Sequence, residues 1–334
     1  MANPPPAPQR LDFLDATKGF LVAVMVVYHS LNYTNQYTLG FRYLSFLPPS
    51  FILITGFLIT RVYFPRAAAG EAGLTTKLLL RSLRLFLLFV ALNVVSQSQF
   101  VRSPAYGRSI GVEAFFGEWQ RTFLLGGSRM AVFEVLLPIA YLIACAPLLL
   151  RLAHWHRLFL PVFTAAFFAV CFTFEIRDQP IANLRFVGAG LIGMLAGRWL
   201  HDAAELGRGF WFAAAALAGY AAFAGNHGYL YLVQLCGAIV AIIFFSGASI
   251  RLGSASLAAR WLILLGQYSL LAYVAQIAIL QVQSRFTGRP EVLSFTTLGI
   301  FLGTLVLTTL SVLAARWLRG RSRALDRAYK LIFA

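Results

Sequence analysis

Titratable groups gather in the first apolar stretch of the chain. Asp12, Asp15, Lys18 and His29 all fall within Arg10-Leu-Asp-Phe-Leu-Asp-Ala-Thr-Lys-Gly-Phe-Leu-Val-Ala-Val-Met-Val-Val-Tyr-His. On a helix, the steps from Lys18 to His29 return to within ~20° of one face and rise ~16 Å. One stripe then carries a cation near the start of the helix and an imidazole deep within it. Neutral imidazole can take up and return a proton near neutral pH, so His29 is a candidate general base. Asp15, one turn before Lys18, is placed to neutralise or tune that cation. A lone histidine in a helix bundle also serves as a helix-to-helix hydrogen-bonding residue, and spacing alone leaves both roles open.

A second basic group stands in Lys77-Leu-Leu-Leu-Arg81-Ser-Leu-Arg84. Arg81 and Arg84 are three apart and share a helical face. Such arginines either snorkel to lipid headgroups or, together with Lys18, form a cationic pocket for a phosphate-rich ligand, because guanidinium forks match phosphate geometry. Glu134 and Arg185 are further charges in apolar surroundings. Each requires a partner or water, and Asp178 is the candidate partner for Arg185. No Walker loop, GxSxG elbow, HExxH or CxxC occurs, so soluble hydrolase, nucleotide-hydrolysing and redox chemistries lack their usual marks. Cys145, Cys171 and Cys236 lie in apolar runs without metal-ligand spacing, which reads as packing, with no metal site.

The elements that carry these groups follow from composition. The 334 residues are 59% hydrophobic, 15% aromatic and 12% charged, against about a quarter charged in soluble proteins. Apolar runs near 13–33, 44–64, 77–97, 131–150, 158–175, 181–200, 209–225, 229–248, 259–283 and 293–317 are each long enough to cross a ~30 Å hydrocarbon core. The fold class is therefore all-α, a polytopic integral membrane helix bundle of about ten transmembrane helices. Residues 1–12 form an N-terminal tether, 13–317 the membrane domain and 318–334 a basic tail suited to a lipid surface. With the amino terminus inside, 19 of the 28 Lys and Arg fall on the inner side, so the positive-inside rule puts both termini in the cytoplasm. The net charge of +16 lies in short clusters between apolar runs, as in loops facing anionic lipid, and does not point to nucleic acid. The longest connection, 98–130, then faces outside. Its aromatic stretch Val112-Glu-Ala-Phe-Phe-Gly-Glu-Trp119 reads as a membrane-surface helix that could also wall a site.

In order and spacing these features resemble a known family, the bacterial membrane acyltransferases called acyltransferase family 3, which includes O-acetyltransferases of surface polysaccharides. The run from Arg10 to His29 is similar to the family's opening "R…D…RG…H". Ser50-Phe-Ile-Leu-Ile-Thr-Gly-Phe-Leu-Ile resembles its "FFxxSGFLI", Arg81 and Arg84 match its Arg-x-x-Arg, and Leu265-Gly-Gln-Tyr-Ser-Leu-Leu-Ala-Tyr is similar to its "LGxxSxxxY". The likeness covers the first 90 or so residues, a patch near 265–280 and the ten-span layout. Lys18 stands where the family usually has arginine, and Gln276 where it often has histidine.

The resemblance implies an acyl-CoA-dependent O-acyltransferase of the bacterial inner (plasma) membrane. It implies no permanently bound cofactor: acyl-CoA is the donor substrate, and an envelope polysaccharide, glucan or lipid is the acceptor. On that reading Lys18, Arg81, Arg84 and Arg10 bind the donor, His29 is the catalytic base, and Asp15 tunes Lys18. Thr55 and Ser269 are either carbonyl-polarising hydroxyls or helix-packing ones. Acetyl is the expected acyl group. Rival readings are a succinyltransferase of periplasmic glucans, a secondary transporter using His29, Lys18 and Glu134 as an ion relay, and an acyltransferase-like protein that has lost activity.

Overall fold

In a computed structural model, the protein is described for residues 11–34, 37–97, 111–127, 132–177, 179, 181–200, 207–228, 230–288, 290–292 and 294–333. It is helical throughout, with no strand among the described residues. The helices are α1 (Asp12–Asn32), α2 (Tyr37–Leu44), α3 (Leu47–Leu58), α4 (Phe64–Ala68), α5 (Leu74–Ser96), α6 (Val112–Gly117), α7 (Leu136–Trp155), α8 (Phe159–Ile176), α9 (Ala182–Trp199), α10 (Phe210–His227), α11 (Tyr231–Leu252), α12 (Leu257–Gln267), α13 (Ser269–Thr287), α14 (Phe295–Arg321) and α15 (Arg323–Phe333).

A helix occupies each of the ten expected apolar segments, and the chain is an α-helical membrane bundle. Among the described residues, seven helical segments are long and apolar enough to cross a membrane, or eight if the bent pair α12–α13 counts as one span. That pair corrects the sequence reading of 259–283 as one straight span: its halves meet at 86°. Tyr268 ends α12 outside regular helical geometry, with φ −110 and ψ 24. Helix starts and stops follow local chemistry elsewhere. Ser256 and Ser294 cap α12 and α14 by accepting from the amides of Ala259 and Thr297, and Pro48 and Pro49 sit in the first turn of α3, where a missing N–H is harmless.

Two crossings hold the bundle together through glycine. On α9, Gly190, Gly193 and Gly197 lie against α3, and Gly56 of α3 faces Gly190; a Cβ at Gly56, Gly193 or Gly197 would strike backbone of the other helix. Without a hydrophobic drive between helices in lipid, close backbone approach of this kind is what associates them. The second crossing joins α1 to α12, where Gly19 abuts the Leu262 carbonyl and Gly266 abuts that of Asp15.

Helix α1 is the central strut. It packs against α2, α3, α11, α12, α13 and α14, and Leu21, Val22 and Val26 are fully buried along it. Across α11, Thr17 and Ser246 share a buried hydroxyl pair at 3.1 Å and Phe20 stacks on Phe245 at 5.1 Å. Between α5 and α7, α6 and a π-helical turn at Gln120–Leu125 fold inward. Phe115 is fully buried and touches Phe89 and Phe123. The aromatic stretch is thus a wall of the bundle as well as a surface helix, since Phe116 and Trp119 remain exposed.

Candidate functional site

The residues of the α1 stripe fall where the helical phase places them. Near the start of α1, Lys18 Nζ lies 2.6 Å from the Asp15 carboxylate, with their side chains 19% and 10% exposed. A pair this close neutralises itself, yet an ammonium has three donors, so Lys18 can hold Asp15 and still reach a further acceptor. The Gly266–Asp15 and Gly19–Leu262 contacts set α12 and the break at Tyr268 beside this pair. Asp12 is exposed at the rim of a recess of ≈ 110 Å³ lined by Phe13, Ala16, Ser249 and Ala259. Ligand pockets run to about 300–1,000 Å³, so this recess is too small to be a donor site by itself.

Further along α1, His29 stands among aromatic rings. Its imidazole is 5.1 Å from the ring of Tyr28 and 5.8 Å from that of Tyr273 on α13, and Phe133 packs edge-on to Tyr273 at 5.5 Å. These rings belong to the main core cluster, which also contains Phe89 and Phe115. The imidazole makes no hydrogen bond to another described residue. A purely structural histidine of a membrane bundle would hydrogen-bond across to a neighbouring helix. This one keeps its nitrogens available.

The arginines of α5 are placed differently. Arg81 is exposed and donates to the Tyr63 hydroxyl at 3.2 Å, on a π-helical turn at Ile59–Tyr63. Arg84 is half-buried and makes no hydrogen bond or ion pair to another described residue. Lys77 is held by Glu71 at 2.7 Å. Among the described residues α1 and α5, which carry Lys18 and the two arginines, do not pack extensively on each other. The C-terminal helix touches both neighbourhoods: α15 packs on α5, while Tyr329 of α15 packs into the cluster of Val22, Leu265, Tyr268 and Phe51. Arg10 lies outside the described residues.

That helix is latched by Arg319. Its guanidinium donates to Asp326 at 2.9 Å and to the Tyr268 hydroxyl at 3.0 Å, and it stacks 4.1 Å over Tyr329. Lys330 adds a second ion pair to Asp326 at 2.6 Å. The break between α12 and α13, the Asp15–Lys18 pair and the C-terminal helix therefore meet at one end of the bundle.

Other expectations are changed by the structure. The described carboxylate on Arg185 is Glu175, at 2.8 Å, while Asp178 lies outside the described residues. Glu134 accepts from the Gly127 amide, and its Oε1 is buried without a partner among the described residues. The Thr55 hydroxyl donates back to Phe51 O at 2.9 Å, which occupies it in its own helix. Of the cysteines, only Cys171 is buried; Cys145 and Cys236 are exposed on the outer surface and all three are free.

Sequence reasoning missed Tyr273 and Phe133 as neighbours of His29, because nothing local links positions so far apart. It also missed the α9 glycines, although their small-residue spacing was a readable signal. Comparisons with protein-family models, curated proteins and solved structures give no match to this chain.

Proposed function

We propose that the protein is a membrane-embedded O-acyltransferase. It moves an acyl group, acetyl by preference, from a cytoplasmic acyl-CoA to a hydroxyl of an envelope glycan or lipid, across a bacterial inner membrane that it spans ten times with both termini inside. The observation that carries this reading is the α1 stripe. Lys18, paired to Asp15, stands at one end of it; ~16 Å of helix rise away, His29 has its nitrogens unengaged among the described residues. Lys18 with Arg81 and Arg84 supplies cations for the CoA phosphates, and the distance between Lys18 and His29 suits an extended pantetheine arm. His29 takes the proton of the acceptor hydroxyl as its oxygen bonds to the thioester carbon. It then returns that proton to the thiolate as the carbon–sulfur bond breaks.

The transporter reading has one feature in its favour, the broken pair α12–α13. Transporters built from inverted repeats use such breaks in both halves, and among the described residues one bent pair is present. The deciding experiment is twofold. Purified protein given acetyl-CoA and envelope glycan should release free thiol, and glycans from cells with the gene should carry mass additions that vanish without it. Acetyl and succinyl additions differ in mass, so the same spectra separate the two donors. Absence of both signals refutes the acyltransferase.

A further inference from the structure

Gln276 of α13 is fully buried, and neither its amide nitrogen nor its amide oxygen has a hydrogen-bond partner among the described residues. A primary amide in apolar surroundings without partners is strongly disfavoured, and buried polar groups are as a rule bonded. The same helix shows what a structural glutamine does: Gln283 accepts from the Thr304 hydroxyl of α14 at 2.7 Å. Gln276 does nothing of the kind.

Its position is fixed by two contacts between α1 and α13. Tyr273 lies against His29, and one level further along both helices Leu280 packs against Tyr33. Gln276 falls between these levels, within ~60° of Tyr273 and ~40° of Leu280 in helical phase and ~4.5 Å of rise beyond Tyr273. The stripe Tyr273, Gln276, Leu280 is the one that α13 turns toward α1, and all three residues are buried. The amide is thereby on the His29 side of its helix, in a stretch lined by aromatic rings.

We infer that Gln276 is the hydrogen-bond donor for the carbonyl oxygen of the acyl group being transferred at His29; this role rests on the acyltransferase reading. When the acceptor oxygen adds to the thioester carbon, the carbonyl electron pair moves onto oxygen and the hydroxyl proton passes to His29. The Nε2–H of Gln276 holds that developing charge in a water-poor site, where a fixed donor acts most strongly. As the carbonyl re-forms, the carbon–sulfur bond breaks and the proton leaves His29 for the thiolate. The donor is stronger for the transition state than for the ground state, so it acts on kcat.

The test uses the full-length protein purified in lipid nanodiscs, with acetyl-CoA as donor. Gln276→Leu has similar volume and removes both unmet groups, so it should raise the melting temperature or leave it unchanged. In the same variant kcat should fall on the order of 10²–10³-fold with KM little changed, and the infrared carbonyl band of bound isotope-labelled acetyl-CoA should move to higher frequency. Gln276→Met, which keeps the length of the side chain but has no donor, should show the same kinetic loss and serves if the leucine variant does not fold. Wild-type kcat and an unshifted carbonyl band in either variant overturn the role. A lower melting temperature with activity reduced only in proportion overturns it as well, leaving a packing residue. Wild-type protein that neither binds nor turns over acetyl-CoA overturns the acyltransferase reading itself, which an active wild type with an equally active leucine variant does not.

Discussion

Gly266 and Asp15 meet backbone to backbone, on two helices whose residues are 251 positions apart in sequence: a Cβ on the glycine would collide with the aspartate carbonyl. Gly266→Ala should therefore force α12 off α1, at a cost of about 1–3 kcal/mol for overpacking. It should also displace the Asp15–Lys18 pair. Gly219→Ala in α10 is the control, since a Cβ there meets nothing within 4 Å. It should be neutral or stabilising by about 0.4–1 kcal/mol. Thermal melts of the two variants should move in different directions, and equal melts would mean that the crossing is loose.

His29→Ala should lower transfer roughly 10²–10⁴-fold, the range for losing a positioned proton acceptor, while acetyl-CoA affinity stays near normal. Binding by calorimetry and transfer by thiol release, measured on one preparation, separate the two effects. A well-folded His29→Ala enzyme that still transfers at near wild-type rate removes histidine from the mechanism.

Lys18→Ala should behave in the opposite way, weakening donor binding more than it slows a saturated reaction. Lys18→Arg should be tolerated, because the charge opposite Asp15 remains and a guanidinium offers a planar fork that binds phosphate bidentately. Among the arginines, Arg84→Ala should weaken acyl-CoA binding with little change in melting temperature, since the side chain makes no hydrogen bond or ion pair to another described residue. If calorimetry finds unchanged affinity in both Arg84→Ala and Arg81→Ala, these arginines take no part in donor binding.

The latch on the C-terminal helix should be sensitive to acid. Hydrogen bonds from Lys330 and Arg319 hold the Asp326 carboxyl below the usual carboxylate range. A depressed pKa means that the stabilisation is present above the unfolded value and is lost as pH falls through the folded one. At pH 7 the helix should be protected, and below the carboxylate range it should open. Limited proteolysis within Arg323–Phe333 should thus accelerate in acid, and Asp326→Asn should show the acid pattern at pH 7. Equal cleavage at both pH values would place the hold in the Arg319–Tyr329 stack instead.

Cysteine labels placed in 98–130 should react with an impermeant reagent from outside intact cells, as the distribution of Lys and Arg requires. Labelling only after lysis would invert the topology.

The helices themselves were legible because each apolar run is continuous and each turn between them is marked by Gly, Pro or charge. The Asp15–Lys18 pair and the His29 stripe were legible too, since both depend on helical phase alone. The break at Tyr268 was not. No proline marks it, and the close seat of Gly266 on α1 two residues before it is a tertiary contact that no local pattern reveals. Gln276 could be seen as a residue type but not as an unpartnered amide, because that requires knowing every group on the helices around it. Arg185 pairs with Glu175, a partner that helix packing supplies and that spacing in the sequence did not single out.

The central place of α1 also sets a schedule for making the protein. The helix ends at Asn32, yet three of its partners, α12, α13 and α14, begin only at residues 257, 269 and 295. At about 5–20 residues per second of synthesis, α1 waits on the order of ten seconds to a minute in the bilayer with Asp15, Lys18 and His29 exposed to lipid. Until then its partners on that side are whatever the insertion machinery provides. Chains truncated before residue 257 should accordingly be held by that machinery or degraded.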